Sequence, residues 1–479
     1  MNRRSFNSLL AGTAAAAAVP SFSRPQESPN QAAFQPTWDS IERHTVPEWF
    51  QDAKLGIFIH WGLYSVPAWA PPTGELGKVD WDTWFTNNPY AEWYLNSLRI
   101  VDSPTYKHHI ATYGKDFDYY QFAAVFNKGT QSWKPEEWAT LFKKTGARYV
   151  VLTTKHHDGF RLWPSAVNNP HANGRQLSAQ RDLVGDLTTA VRAAGMRMGL
   201  YYSGGLDWTF TSEPIRTRPD LMARVPQSEE YARYADAHWR ELIDRYQPVV
   251  MWNDINYPRA GKISELFAHY YNTVPGGVIN NRFGVPFADY TTPEYAKYDK
   301  ITFEKWESCR GLGFSFGYNQ VEGPDQVLPP GQLIALLVDI VSKNGNLLLN
   351  IGPKADATIS DIQLDRLHKL GAWLDVNGEA IFGSRPWVRA SATTPDGADM
   401  RFTCNRGALY VFFLNPVTGK ALKIPSTRAS EGTTAEILGS SSKAALSQSG
   451  SDLVVTSEGP IPQSYAITVK LHPAPDSLV

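Results

Sequence analysis

The 479-residue sequence predicts an α/β chain: a (β/α)8-like TIM barrel followed by a small C-terminal antiparallel β-sandwich. Three observations carry this. Four short apolar runs each end abruptly in residues able to do chemistry, helix-like patterns separate them, and beyond Trp387 the text changes to short β-type runs. Continuous apolar runs bounded by turn residues suit strands buried on both faces. In a parallel barrel the C-terminal ends of such strands gather the active site.

Residues 1–23 read as an export signal. Asn2-Arg3-Arg4-Ser5-Phe6 precedes Leu9-Leu10-Ala11-Gly12 and an alanine run ending at Val19-Pro20. Paired arginines before a short, weakly apolar stretch resemble a bacterial twin-arginine signal, which directs the protein to the periplasm or beyond. The alternative is a loose cytosolic N-terminus with coincidental arginines. The stretch is too short to cross a bilayer, and no other segment is apolar enough for a membrane span. Residues 24–36, beginning Arg24-Pro25-Gln26-Glu27, read as a linker.

The barrel is expected over residues 37–385. Gly56-Ile57-Phe58-Ile59 runs into His60-Trp61-Gly62. Pro135 opens a helix ending near Lys144, and Gly146 closes it. Tyr149-Val150-Val151-Leu152 then leads to Lys155-His156-His157-Asp158-Gly159. Asp182 can cap a helix from Leu183 to Ala194, with Gly195 as the stop. Met198-Gly199-Leu200 leads to Tyr201-Tyr202-Ser203-Gly204-Gly205, and a helix is expected from Tyr231 to Tyr246. Val249-Val250-Met251 leads to Trp252-Asn253-Asp254, followed by helices at Ile263 to Val274 and Gln332 to Lys343. Asn346-Leu347-Leu348-Leu349-Asn350-Ile351-Gly352-Pro353 is a further buried strand and loop. Two proline-containing insertions, Pro67 to Pro89 and Ser203 to Pro226, make the barrel imperfect. No glycine-rich dinucleotide or phosphate loop follows any strand.

Residues 386–479 carry the sandwich. Met400 to Cys404, Ala408 to Leu414, Ala421 to Ile424, Leu453 to Thr456 and Tyr465 to Val469 are β-type runs punctuated by Gly, Asn and Ser. They hold no paired carboxylates or histidine cluster, so this domain reads as structural.

Composition narrows function less. A net charge of −1, from 46 Lys+Arg against 47 Asp+Glu, gives no electrostatic case for nucleic acid. Sixteen Trp, 22 Tyr and 22 Phe suit stacking on sugar rings, but large cores also consume aromatics. Cys309 and Cys404 form no metal-ligand spacing and read as free thiols.

Asp254, at the end of a buried strand, is the first candidate for chemistry. A carboxylate there is costly to desolvate without a partner or a task, and can attack a sugar's anomeric carbon. A second carboxylate must protonate the leaving oxygen; Asp289, Glu294, Glu304 and Glu307 are all possible by residue type. His60, His156 and His157 offer donor and acceptor nitrogens for sugar hydroxyls. Equally, they open a metal-dependent hydrolase reading with Asp254 as a further ligand, though successive strand residues face opposite ways and would need a bend to share one ion. Arg282 can hold a carboxylate in place, or form a surface ion pair.

Together these runs resemble the α-L-fucosidases of glycoside hydrolase family 29, over nearly everything after the export signal. Ala91-Glu92-Trp93-Tyr94 and Lys155-His156-His157-Asp158-Gly159-Phe160 join the runs above in carrying the resemblance. It implies a catalytic barrel, a C-terminal β-sandwich and retaining hydrolysis of terminal α-L-fucose from fucosylated glycans without metal or other cofactor. It also implies Asp254 as nucleophile and Glu294, in Thr291-Thr292-Pro293-Glu294-Tyr295, as acid/base, with Glu307 the fallback. The sugar pocket would use His60, Glu92, His156, His157, Tyr201, Trp252 and Arg282. A non-catalytic fucose-binding barrel is the other reading. Oligomeric state and the linkage cleaved have no readable code.

Overall fold

A computed structural model describes residues 33–395, 397–414 and 419–478. The expected export signal and most of the expected linker lie outside these. The described chain is tied down from Phe34, whose N–H donates to Asn272 Oδ1 at 2.8 Å.

Seven parallel strands form the first sheet: β1 (Leu55–Ile59), β2 (Tyr149–Lys155), β3 (Arg197–Tyr202), β4 (Val250–Asn253), β5 (Val278–Ile279), β6 (Trp306–Gly311) and β7 (Gly345–Ile351). Their order is β5-β4-β3-β2-β1-β7-β6. Ile57 lies opposite Val150 on one side and Leu349 on the other, so each apolar run packs into its neighbours. Apart from Arg197 every residue of these strands is buried, as expected for strands covered on both faces. A fully buried aliphatic side chain such as Ile57 stabilises the fold by about 1.5–3 kcal/mol.

Between β5 and β6 the barrel closes without a regular strand. The 289–295 segment bridges in parallel to β5 through Asn280–Tyr290, and to β6 through Thr291–Trp306 and Glu294–Cys309. Backbone hydrogen bonds from Asp289 N–H to Ile279 O (2.9 Å), Glu307 N–H to Thr291 O (2.9 Å) and Cys309 N–H to Pro293 O (3.1 Å) hold it there. Pro293 has no N–H to offer a ladder, which keeps this stretch irregular. The expected eight-fold plan is thus completed by a seam.

Helices Pro135–Lys144, Leu183–Ala193, Glu229–Tyr246, Ile263–Thr273, Pro330–Ser342 and Asp361–Ile381 pack around the sheet. Proline at the first turn starts the first of them, and the Asp182 carboxylate accepts from Gly185 N–H at 2.9 Å to cap the second. The last, Asp361–Ile381, is not among the helices expected from the sequence. It crosses the first closely at Gly371, where a Cβ would meet Lys144 O at 2.3 Å.

The two expected insertions leave the C-terminal ends of β1 and β3. Each contributes a short helix, Trp81–Thr86 and Arg218–Ala223. The Arg218 guanidinium lies over the Trp81 ring, 5.0 Å from its centroid, and couples the two.

Ten strands follow: β8 (Arg385–Thr393), β9 (Asp399–Asn405), β10 (Ala408–Phe413), β11 (Ala421–Ile424), β12 (Thr427–Arg428), β13 (Thr434–Ile437), β14 (Ala444–Ser449), β15 (Asp452–Ser457), β16 (Ile467–His472) and β17 (Asp476–Ser477). Eight form one antiparallel ladder, β11-β15-β14-β13-β16-β10-β9-β8, with β12 and β17 paired separately. Leu422 of β11 and Val455 of β15 share a core with Phe402 of β9 and Val411 of β10. Distant parts of the ladder therefore fold over one another, as in a sandwich. Strand β10 serves two cores by alternation, since Leu409, Val411 and Phe413 face this one while Tyr410 and Phe412 pack on the barrel side. Among the described residues no helix is long and apolar enough to cross a membrane.

Candidate active site

The polar ends of β1, β2, β3 and β4 converge on one cavity of about 170 Å³. At roughly 30 Å³ per water, that is the space of roughly five or six waters, suited to one sugar ring rather than a chain of them. Phe58, Trp252 and Phe316 give it apolar surface; His60, Glu92, His156, His157 and Tyr201 give it polar groups; Asp254, Arg282 and Glu294 give it charge.

Arg282 organises the charged part. Its Nη1 donates to Asp254 Oδ1 at 2.8 Å and its Nη2 to Glu294 Oε2 at 3.0 Å. Nε donates to Thr292 Oγ1 at 2.9 Å, and the guanidinium stacks on Trp252, 4.6 Å from the ring centroid. Two hydrogen bonds and the width of one guanidinium bound the separation of the nearest carboxylate oxygens at roughly 8 Å. That upper bound admits the spacing of retaining glycosidase carboxylates, about 5–5.5 Å, and that of inverting ones, about 6.5–9.5 Å.

Asp254 is held further by Tyr201 O–H (2.9 Å) and by its neighbour Ile255 N–H (3.0 Å). Burial pushes its carboxyl upward, but the Arg282 charge and the hydrogen bonds from Arg282 and Tyr201 outweigh that and hold it below the usual carboxylate range. Asp254 is therefore ionised at neutral pH. The Glu294 side chain is more open to solvent, 23% against 10% for Asp254, and accepts from Tyr90 O–H at 2.9 Å.

Two histidines have their tautomers set from behind. Asn350 Nδ2 donates to Phe316 O at 2.6 Å, so its Oδ1 accepts from His60 Nδ1–H at 2.7 Å. Ser203 Oγ–H donates to Leu206 O at 2.6 Å, so His157 Nδ1–H donates to Ser203 Oγ at 2.6 Å. Both rings thus keep an Nε2 lone pair. Burial lowers each to about 3, and both are neutral in any ordinary buffer. His156 is likewise pushed down by burial, and its Nδ1 is buried without a partner. A register shift between Thr153 and Lys155 supplies the bend that brings both His156 and His157 to the cavity. Glu92 Oε2 accepts from Gly317 N–H at 2.7 Å, and burial raises its carboxyl to about 7. Among the described residues no group of three or more His, Cys, Asp or Glu is arranged to hold a metal ion.

Backbone geometry after Asp254 is unusual. Ile255 and Asn256 have φ of +52° and +70°, and a β-branched residue in that region is strained by about 1–3 kcal/mol. Gly205 accommodates the turn: its N–H donates to Asp254 O at 3.0 Å, and a Cβ there would stand 1.4 Å from Ile255 O.

A family model described as alpha-L-fucosidase matches residues 21–379. The chain belongs to the α-L-fucosidase family of glycoside hydrolases. The Dictyostelium discoideum alpha-L-fucosidase is 32% identical over 423 residues, covering 85% of this chain and 86% of that one. Human tissue alpha-L-fucosidase is 33% identical over 431 residues, covering 85% and 84%. Among solved structures, Thermotoga maritima alpha-fucosidase in complex with fucose superposes with a TM-score of 0.83 at 46% identity, covering 91% of this chain and 100% of that one. The same Thermotoga maritima enzyme with a mechanism based inhibitor gives 0.83 at 46%, covering 91% and 99%. The barrel-and-sandwich plan of this fucosidase is shared with these structures.

Nearly all the site residues expected from the sequence line this one cavity: His60, Glu92, His156, His157, Tyr201, Trp252, Asp254, Arg282 and Glu294. Glu307 does not. It is fully buried beneath Trp252, accepting from Trp252 Nε1–H at 3.0 Å and from Tyr149 O–H, and burial raises its carboxyl to about 7. Asp289 accepts from Tyr271 O–H (2.8 Å) and Ile279 N–H (2.7 Å), and also lies outside the cavity. Sequence reasoning missed Tyr90, Ser203, Thr292 and Asn350 as supporting residues. Ser203, Thr292 and Asn350 sit in runs already singled out, and Tyr90 stands immediately before another, Ala91-Glu92-Trp93-Tyr94.

Proposed function

We infer that the protein removes terminal α-L-fucose from fucosylated glycans as a retaining exo-glycosidase, through a covalent fucosyl ester on Asp254. The observation that supports it above others is the Asp254–Arg282–Glu294 bridge across a cavity the size of one sugar. That a Thermotoga maritima relative was solved with a mechanism based inhibitor accords with it.

In the first step an Asp254 carboxylate oxygen attacks the anomeric carbon and forms the ester bond. The bond from that carbon to the glycosidic oxygen breaks, and its electron pair stays on the oxygen, which takes the Glu294 proton. In the second step a water oxygen attacks the anomeric carbon while Glu294, now a carboxylate, accepts the water proton. The ester bond breaks and its electron pair returns to Asp254. Two inversions give net retention.

The supporting residues have matching tasks. The Nε2 lone pairs of His60 and His157 accept from sugar hydroxyls, His156 Nδ1 meets another, and Glu92 binds hydroxyl protons. Phe58, Trp252 and Phe316 offer apolar contact to the sugar's methyl group.

The test is Asp254→Ala. Turnover of an aryl fucoside should fall by several orders of magnitude, and added azide should restore part of it while yielding β-L-fucosyl azide. Undiminished turnover, or an α-azide product, would overturn the assignment of Asp254.

A further inference from the structure

The histidines, Glu92 and Asp254 are buried at the inner part of the cavity, while Arg282 and Glu294 are half-buried nearer its mouth. Exposure rises outward. Phe58, Tyr201 and Trp252 are 1% exposed, while Trp81 is 38% exposed and Leu76, Leu221 and Ile255 are half-buried. These four outer residues are all apolar. They come from three different segments: Leu76 and Trp81 from the 67–89 insertion, Leu221 from the 203–226 insertion, and Ile255 from the turn after β4.

Two features tie this rim together. The Arg218 guanidinium packs on Trp81, so the helix carrying Leu221 also braces the indole. Ile255 is kept at the cavity wall by a left-handed backbone that an isoleucine resists, in a turn that Gly205 alone can accommodate. Strain that is retained beside reacting groups argues for a task there. Glu294, the more exposed carboxylate of the pair, is the one whose proton must reach the leaving oxygen, so a departing group has to lie toward the solvent side of it.

We propose that Leu76, Trp81, Leu221 and Ile255 form a leaving-group site that selects aglycones presenting a flat apolar face. That face is either the apolar side of a pyranose or an aryl ring; both stack on an indole by the same dispersion and apolar contact. This rests on the roles given above to Asp254 and Glu294. A leaving group without such a face gains no apolar contact from these four side chains.

The experiment compares three substrates on the intact protein: α-L-fucosyl fluoride, whose leaving group is a single atom; p-nitrophenyl α-L-fucoside; and an α-L-fucosyl-hexose disaccharide. In Trp81→Ala the ratio of kcat/KM for the aryl fucoside to that for the fluoride should fall about tenfold, and Trp81→Phe should restore most of it. Leu221→Asn, at a half-buried position tolerant of a polar side chain, should lower the same ratio about threefold, and provides the test if Trp81→Ala does not fold. A parallel fall with the disaccharide assigns the rim to a pyranose; a fall with the aryl fucoside alone assigns it to aryl groups. Ratios unaltered in both variants overturn the leaving-group site while leaving the reaction intact. Failure of the unmodified protein to hydrolyse the fluoride would instead overturn the roles of Asp254 and Glu294.

Discussion

Replacing Glu294 and Glu307 in turn tests the proposal that Glu294 is the acid that reaches the sugar and Glu307 only supports the wall. Glu294 lines the cavity and shares Arg282 with Asp254; Glu307 sits beneath Trp252. General acid catalysis contributes about 10²- to 10⁴-fold, or about 3–5 kcal/mol of barrier, for leaving groups that need a proton. Glu294→Ala should therefore lower kcat/KM on fucosyl-hexose disaccharides by that factor. Activated dinitrophenyl fucoside, whose phenolate leaves unassisted, should form the ester at close to the original rate. Arg282 still holds Asp254 at 2.8 Å and Thr292 at 2.9 Å in this variant, so the nucleophile stays ionised. The ester should then accumulate as a burst of phenolate, because the base for the second step is gone, and azide should release it as the α-azide. Glu307→Gln keeps one acceptor for two donors, Tyr149 O–H and Trp252 Nε1–H. Losing one buried hydrogen bond costs about 1–3 kcal/mol of stability, and any loss of activity should be equal across leaving groups. The assay is kcat/KM against leaving-group acidity for both variants. A steep dependence in Glu307→Gln with a flat one in Glu294→Ala would refute this reasoning.

Other outcomes follow from the same network. Ser203→Ala strands His157 Nδ1–H and leaves Leu206 O with only the long Lys155 Nζ contact at 3.5 Å; stability should fall by about 1–3 kcal/mol, and kcat/KM about tenfold as His157 Nε2 ceases to be a fixed acceptor, which thermal melts and steady-state kinetics would read. Glu92, raised by burial from 4.5 to about 7, makes a stabilising contribution that is complete below pH 4.5 and lost as pH rises through 7. Glu92→Gln should therefore gain on the parent protein across that window, by up to about 3 kcal/mol at pH 8 relative to pH 4; a pH-independent difference in unfolding free energy would sink this account.

Strands buried on both faces announced themselves, which is why β1 to β4 and β7 were legible and why their polar ends led to the cavity. β5 is only two residues long, and β6 carries Glu307 and Arg310 within it. Neither shows an apolar run, because a barrel interior that hosts polar groups erases the pattern. The Asp361–Ile381 helix was hidden by Gly371 and Gly378, the first of which serves a close helix crossing rather than a turn. β14, Ala444–Ser449, holds one large apolar residue and is recognisable only through its pairing with β15. Within the site, the polar and charged residues assigned to substrate in the proposed mechanism stand at motif positions, whereas Phe58 and Phe316, which line the same cavity, were not singled out. Those acting from behind were not either: Tyr90, Asn350 and Ser203 owe their roles to partners 204, 290 and 46 residues away in the chain.

The seam between β5 and β6 bears on how each carboxylate of the pair is held. Asp254 follows an inner strand whose register is locked on two sides, so moving it by one position would turn the whole strand over. Glu294 rides on a stretch fastened at scattered points and interrupted by proline. The seam lacks the unbroken ladder that fixes Asp254, so the position of Glu294 depends on side-chain and loop contacts such as Arg282 Nη2 to Glu294 Oε2 and Tyr90 O–H to Glu294 Oε1. One partner of the pair is set by strand register; the other is set by the contacts of an irregular segment.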